Sequence, residues 1–496
     1  MLSLLYLDVE DFVSPPDHPS HRLPGEFARI MTKHNFGGGC FHIIGQKVRH
    51  MVQHAQEDDL KAIADHDVSL HYDRGSIHPT TAEETSNLSW HEAVSRVLFR
   101  ERPGVDLLLD VFGKCSALTR HGWTWSASIA YAAGRMGLPF FNGPIRPPDH
   151  GVTWMCNNLD IRGLETELLL DQVYRDTPKF EQRLKQVLKN LDELTRRTDY
   201  SAMFGCHPSY TLYRDFADHN FYEGQNPKLA DCGPPAEAGA NVATVLRNFE
   251  RYVVALKAAP NVTWTNVAGI RNLYRYRPVR VARRHLEEFA RKVVERRGPT
   301  YTDVLTAAEG LVLLARARLA LAESYEVPTV MGPLSAMRNP GESGSLRTTG
   351  GSVLSDDKAL TDLSVGLIDY VYGTGFIPAY CELPGADIRI DPANLVVRLA
   401  FALLGSDAEA VGPLDIDEPT LLDGLDIPSK DVLEKWLPHG SQYAAQSVLD
   451  DLSDQAWTLK PAFKKDDYPD DVETAQYEMP MILTEWAEYD GHVVSY

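Results

Sequence analysis

Leu4-Leu5-Tyr6-Leu7-Asp8-Val9-Glu10-Asp11 is the stretch on which the reading of this chain turns. A short apolar run, the length of a buried strand, leads directly into three carboxylates within four positions. Strands have a period of two, so Asp8 and Glu10 share a face if the strand continues. Clustered carboxylates repel one another unless a cation or an arginine compensates them. In a parallel barrel the chemistry sits where strands end, and this cluster sits at such an end.

Similar apolar segments recur downstream and alternate with helical patterns. Gly39–Ile44, Asp67–His71, Ser116–Arg120, Pro139–Asn142, Val152–Cys156, Ala202–Cys206 and Val262–Val267 read as strands. Pro24–His34, Lys47–Asp65, a segment from about Thr81, Ser126–Met136, Phe180–Arg197 and Val242–Ala258 read as helices. Repeated β-then-α units imply a parallel sheet with helices outside. The expected fold class is α/β, a (β/α)7-8 barrel over residues 1–275 followed by a mainly α-helical C-terminal region.

Beyond the barrel the composition changes. Residues 276–299 are arginine-rich and read as a linker with an exposed helix. Residues 300–460 read as a helical accessory region. It contains two similar units, Leu305-Thr306-Ala307-Ala308-Glu309 running on to Glu326-Val327-Pro328, and Leu354-Ser355-Asp356-Asp357-Lys358 running on to Gly375-Phe376-Ile377-Pro378. Each reads as a capped helix ending near a proline, and together they suggest a degenerate duplication around the Gly341–Gly351 loop. Residues 461–496 read as an acidic tail that wraps the surface.

The 496 residues imply two or three domains, and 44% hydrophobic against 24% charged residues is the balance of a folded protein. A formal net charge of -20 disfavours nucleic acid and anionic membranes as partners. No basic start precedes the first apolar run, and no run of about 18 apolar residues exists, so neither a signal peptide nor a membrane span is expected. The six cysteines are scattered without a CxxC pair, as buried free thiols would be, and the cytoplasm is the expected compartment. The oligomeric state is left open.

Three further strand ends carry unusual polar residues. His71 closes Asp67–Leu70, beside the carboxylate strand, and suits a divalent metal. Thr119-Arg120-His121-Gly122-Trp123 follows another strand; Arg120 could hold a carboxylate in place, and His121 could be a ligand or a proton carrier. Cys206-His207-Pro208 ends a late strand and offers His207 as a general acid.

This order of elements resembles the NodB-like polysaccharide deacetylases. Asp8-Val9-Glu10-Asp11-Phe12 looks like a DVED variant of that family's first motif. His66-Asp67-Val68-Ser69-Leu70-His71 looks like its GHExGxH segment, with Asp65 in place of the leading glycine. Arg120-His121-Gly122-Trp123 sits where the arginine loop belongs, and the late strand ends in His-Pro. The resemblance spans residues 1–275. It implies a barrel of the polysaccharide-deacetylase kind and a divalent metal, zinc being the expected one. It implies a carbohydrate or small amide substrate, a metal-dependent hydrolase acting on C–N bonds, and deacetylation of an N-acetylated sugar or glycan. Glu10, His71 and His121 are then the expected ligands, with Asp11 as the alternate carboxylate. Asp8 is the expected base, positioned by Arg120, and His207 the acid. Asp73, Trp123 and Tyr210 are candidate substrate contacts. One departure stands out: the family's second metal histidine should lie four residues after His71, where this chain has Gly75. Either His121 or His78 completes the set, with His121 favoured because its strand should be a barrel neighbour. The alternative is a carbohydrate-binding or scaffold protein that kept the barrel without turnover.

Overall fold

The computed structural model describes residues 1–477 apart from 87, 123, 144–149, 163, 166–170, 323–329, 332–336, 339–356, 384, 386–387 and 406–451. Its main sheet is built from β1 (Leu2–Val9), β2 (Gly39–Ile43), β3 (Asp67–Leu70), β4 (Leu118–Thr119), β5 (Phe140–Phe141), β6 (Val152–Met155), β7 (Asn158–Ile161), β8 (Leu164–Glu165), β9 (Tyr200–Cys206) and β10 (Thr263–Trp264). The strand order β7-β5-β4-β3-β2-β1-β9-β8 is parallel throughout. Only Arg162 and Gly163 lie between β7 and β8 in the sequence, so the stretch 158–165 serves both ends of that path. The parallel α/β expectation therefore holds for the described strands. The uniform β/α repeat does not, because β6 lies antiparallel to β7.

The period of two decides what each strand presents. Leu5, Leu7 and Val9 face the helical layer, packing with Phe27, Val48 and Phe249 in the largest core. Leu4 and Tyr6 face the other way, into a smaller core with Cys40, Phe141 and Tyr200. The helices α1 (Leu23–Lys33), α2 (Gly45–Gln53), α3 (Glu57–Ala64), α4 (Thr81–Thr85), α5 (Trp90–Phe112), α6 (Ala127–Arg135), α7 (Thr177–Leu194), α8 (Val242–Lys257) and α9 (Val267–Tyr274) supply the outer layer. Phe27 of α1 stacks on Phe249 of α8 at 3.8 Å, which ties two helices distant in sequence together. Each fully buried side chain of this kind contributes about 1.5–3 kcal/mol.

Two sequence expectations need correction here. Lys47–Asp65 is two helices, α2 and α3, because the chain leaves the helix at His54 and Ala55 takes a left-handed φ of 49°. Val262–Val267 is a two-residue strand followed at once by α9, whose start is capped by the Asn266 side chain accepting from the Gly269 N–H.

A second core follows. It is made by β11 (Tyr276–Ala282), α10 (Arg283–Arg296), α11 (Ala307–Ala322), β12 (Val330–Met331), β13 (Met337–Arg338), α12 (Asp357–Thr374), β14 (Phe376–Ile377), β15 (Cys381–Glu382), β16 (Arg389–Ile390) and α13 (Pro392–Leu404). The segment 276–299 is thus not a linker. Val281, Leu286, Phe289, Ala290 and Val293 are buried in this core, while Arg284, Arg291 and Arg296 of α10 are exposed. The acidic segment is also more than a surface wrap. β17 (Lys460–Pro461) adds antiparallel to β6 of the main sheet, and β18 (Val472–Gln476) pairs with β11. One short stretch therefore joins both cores. Among the suggested repeat units, both helices exist as α11 and α12, and the start of α11 carries a reciprocal cap between Thr306 and Glu309. Glu326–Pro328, Leu354–Asp356 and Gly341–Gly351 lie outside the described residues. No described helix is long and apolar enough to cross a membrane.

Candidate metal centre

Parallel register places the site. Val9 pairs with Ile43, Ile43 with Leu70, and Leu70 with Leu118, so these four form one level across β1 to β4. The next residues along β1, β3 and β4 are Glu10, His71 and Thr119. They are hydrogen-bonded in that order: His71 Nε2 lies 3.1 Å from Glu10 Oε1, and its Nδ1 lies 2.7 Å from Thr119 Oγ1. The Thr119 contact fixes the ring, leaving Nε2 to face the carboxylates.

Two more imidazoles converge on the same oxygen. His121 Nε2 is 3.4 Å and His207 Nε2 is 3.7 Å from Glu10 Oε1. Four ligands about 2.0–2.1 Å from a tetrahedral cation lie about 3.3 Å from one another. The three separations bracket that value. The donor set of Glu10, His71 and His121 is buried, with its ligand atoms all within 4.8 Å. Two imidazoles and a carboxylate are a set that zinc and related divalent cations accept. The residues present therefore fit the implied metal.

Asp8 lies on the flank of this group. Its register partner on β2 is His42, and His42 Nδ1 is 3.2 Å from Asp8 Oδ1. The other carboxylate oxygen is 4.0 Å from His207 Nε2. Burial pushes Asp8 up, but His71, His42 and His207 together outweigh it and hold its carboxyl below the ordinary value. Glu10 is likewise held well below, against burial, by His207 and His121. Burial pulls His207 down, yet the charges of Asp171 and Glu10 prevail and raise it to about 10. His121, also buried, is raised to about 9 by Glu10 and Asp218.

The sequence-named residues do not all meet here. Asp8, Glu10, His71, His121 and His207 do. Asp11 does not: Oδ1 accepts from the Val13 and Ser14 N–H groups at 3.2 and 3.1 Å, and Oδ2 from Ser20 Oγ at 3.0 Å. Asp11 shapes the following loop and is not a ligand, because one residue further along an extended chain points the other way. The group hydrogen-bonded to Asp8 is His42, and Arg120 lies near enough to Asp160 to lower its carboxyl. Asp73 is turned inward to Arg49 at 2.8 Å, with Gly45 and Gly104 making room for its carboxylate, so it is not a substrate contact. Tyr210 lies beside the site, stacked on Phe216 at 4.2 Å, with its hydroxyl donating to the Arg214 carbonyl. Trp123 lies outside the described residues.

Gly75 is explained by its backbone. It has a left-handed φ of 54°, and an added Cβ would stand 2.9 Å from two carbons of Ile44. No histidine fits there. His78 has both ring nitrogens engaged, Nδ1 with Glu83 at 2.8 Å and Nε2 with the Phe221 carbonyl at 2.9 Å.

Three groups went unnamed from sequence. His42 was readable, since Cys40 and His42 alternate with Phe41 and Ile43 and so share the face of Asp8. Asp171 accepts from the His207 backbone N–H at 2.6 Å and lies 3.1 Å from its Nδ1. Asp218 lies 3.6 Å from His121 Nε2. Neither sits in a local pattern that would reveal it.

No family model matches the sequence, and no curated protein does. Solved structures similar to part of the chain include the Xyl-CE4 domain of a multidomain xylanase from the hindgut metagenome of Trinervitermes trinervoides (11% identity, 55% of this chain and 89% of that one, TM-score 0.30). The peptidoglycan deacetylase PdaC from Bacillus subtilis is similar over 59% of this chain and 96% of its own, at 10% identity and TM-score 0.27. Puue allantoinase is similar over 54% and 89%, at 10% identity and TM-score 0.35.

Proposed function

We propose that this protein is a metal-dependent hydrolase of C–N amide bonds, deacetylating an N-acetylated sugar or a related amide. The observation that carries the reading is the convergence of His71, His121 and His207 on one oxygen of Glu10, at 3.1, 3.4 and 3.7 Å. Glu10, His71 and His121 would hold a divalent cation, with zinc the expected one. A cation there supplies positive charge that polarises a carbonyl and acidifies water. Asp8, ionised and held by His42, accepts the proton of the attacking water. His207, protonated through its pairing with Asp171, hands a proton to the departing amine nitrogen. Thr119 keeps the His71 ring in place throughout.

The test is metal content of untagged protein together with release of acetate from N-acetylated amino sugars and simple acetamides. Bound metal near one per chain with acetate release supports the reading. Metal-free protein that releases none refutes it. A second reading, a barrel kept for carbohydrate binding without turnover, is favoured by Gly75, which takes away the family's usual ligand position. Sugar binding by protein that holds no metal would favour it.

A further inference from the structure

We infer that residues 214–236 form a cap that restricts this site to small or chain-terminal acylated amines and excludes internal residues of a polymer; the inference rests on the hydrolase reading above. The excursion leaves and returns at one place. Tyr213 and Glu237 form an antiparallel bridge, Arg214 N–H donates to the Ala236 carbonyl at 2.7 Å, and Ala238 N–H to the Leu212 carbonyl at 2.9 Å. Between those points the chain crosses the carboxyl ends of the strands and contributes to the site itself. Asp218 reaches His121, and Tyr222 lies close enough to Asp218 and Glu10 to feel their charges.

The far side of the excursion is fastened to the loops that follow β1 and β3. Phe221 is buried against Phe12 and Ile44. Its carbonyl accepts from or faces His78 Nε2 at 2.9 Å, and Asn226 Nδ2 donates to the His78 carbonyl at 2.8 Å. At the near side Tyr213 OH meets Ser14 Oγ at 2.9 Å and His18 Nδ1 at 2.6 Å. Three loops are thus bound together over the ligand cluster, and Glu10, His71 and His121 are only 8%, 3% and 3% exposed. A polymer cleaved of an internal acetyl group must enter on one side and leave on the other. The fastened cap blocks that path, while a monosaccharide or a chain end needs only one opening. His207 and Asp8, the more exposed groups, mark where that opening lies.

The experiment compares zinc-loaded full-length protein on N-acetylglucosamine, chitopentaose and an acetylated polymer, with product analysis to show which residue lost its acetyl group. Two variants accompany it. One replaces residues 215–235 by Asn-Gly, which the existing bridge can close. The other, Phe221→Ala with Asn226→Ala, unfastens the cap and keeps the chain length. Zinc content checks that the ligands survive in both. The expected result is terminal deacetylation only by the wild type, and at least about a tenfold rise in the polymer-to-monomer ratio of kcat/KM in either variant. Internal deacetylation by the wild type, or an unchanged ratio in both variants, overturns the cap and leaves the hydrolase reading standing. No turnover of any substrate by zinc-loaded wild type overturns the hydrolase reading, and this inference with it.

Discussion

Replacing Lys460 by methionine should cost the protein a large part of its stability, although Lys460 lies far along the chain from the cluster. Lys460 is 2% exposed and sits on the two-residue strand that adds to β6. Its Nζ donates to both oxygens of Glu309, at 3.0 and 2.7 Å, and to the Val304 carbonyl at 3.0 Å. Glu309 belongs to α11 in the second core and caps that helix through the Thr306 N–H at 2.8 Å. Burial pulls the Lys460 ammonium down, and Glu309 opposes it. Lys460→Met fills the space but leaves a buried carboxylate with one backbone donor. Breaking a buried pair in this way costs about 3–5 kcal/mol, out of a total stability of about 5–15 kcal/mol. The assay is urea unfolding followed by tryptophan fluorescence, with Trp154 and Trp457 buried near the pair. Lys460→Met combined with Glu309→Leu removes both charges, and should recover to within about 1–2 kcal/mol of wild type. A loss below about 1 kcal/mol for the single variant, or no recovery in the double one, would refute the account of Lys460 as the ionic tie between the two cores.

His121→Ala should lower bound metal by about 10-fold or more, whereas His78→Ala should not, because both His78 nitrogens are already engaged; metal analysis of the two purified variants decides it. Thr119→Val frees the His71 ring without removing a ligand, and metal affinity should fall by about 10–100-fold in a competition titration. Burial raises Asp160 from 3.8 to about 6, partly offset by the Gly143 N–H, Arg162 and Arg120. A raised carboxyl stabilises the fold below its unfolded value and loses that contribution as pH climbs through the folded one. Wild type should therefore lose about 2 kcal/mol relative to Asp160→Asn between pH 4 and 7. Parallel Tm-against-pH curves for the two proteins would show that Asp160 is not held neutral.

How far the site was legible depends on which signals are local. The apolar run ending at Asp8 and the strands ending at His71 and His207 could be read because each is a burial pattern broken by a polar residue. Three carboxylates in four positions look equivalent as a cluster, yet alternation sends Asp8 and Glu10 to one face and leaves Asp11 to the following loop. Analogy points Arg120 at Asp8, whereas His42 of β2, which is hydrogen-bonded there, reads from sequence as one more buried structural histidine. The start of the second core is hard to read because an arginine-rich strand and helix resemble a linker when only composition is weighed.

Register is the deeper reason that no reading of single strands could have assembled the centre. A one-residue slip between parallel neighbours would turn every side chain of a strand to the opposite face. In this sheet Val9, Ile43, Leu70 and Leu118 share one level, and Glu10, His71 and Thr119 follow it in contact. Slip β3 by one residue and Tyr72 would stand where His71 does, with no imidazole from that strand facing Glu10. The same level bears on Gly75. The loop after β3 turns through left-handed Gly75, where an added Cβ would crowd Ile44. The next strand along, β4, ends at Thr119, and two residues beyond it His121 reaches the same oxygen from the neighbouring side. An imidazole thus reaches Glu10 across the sheet, and the pairing of β3 with β4 puts it there.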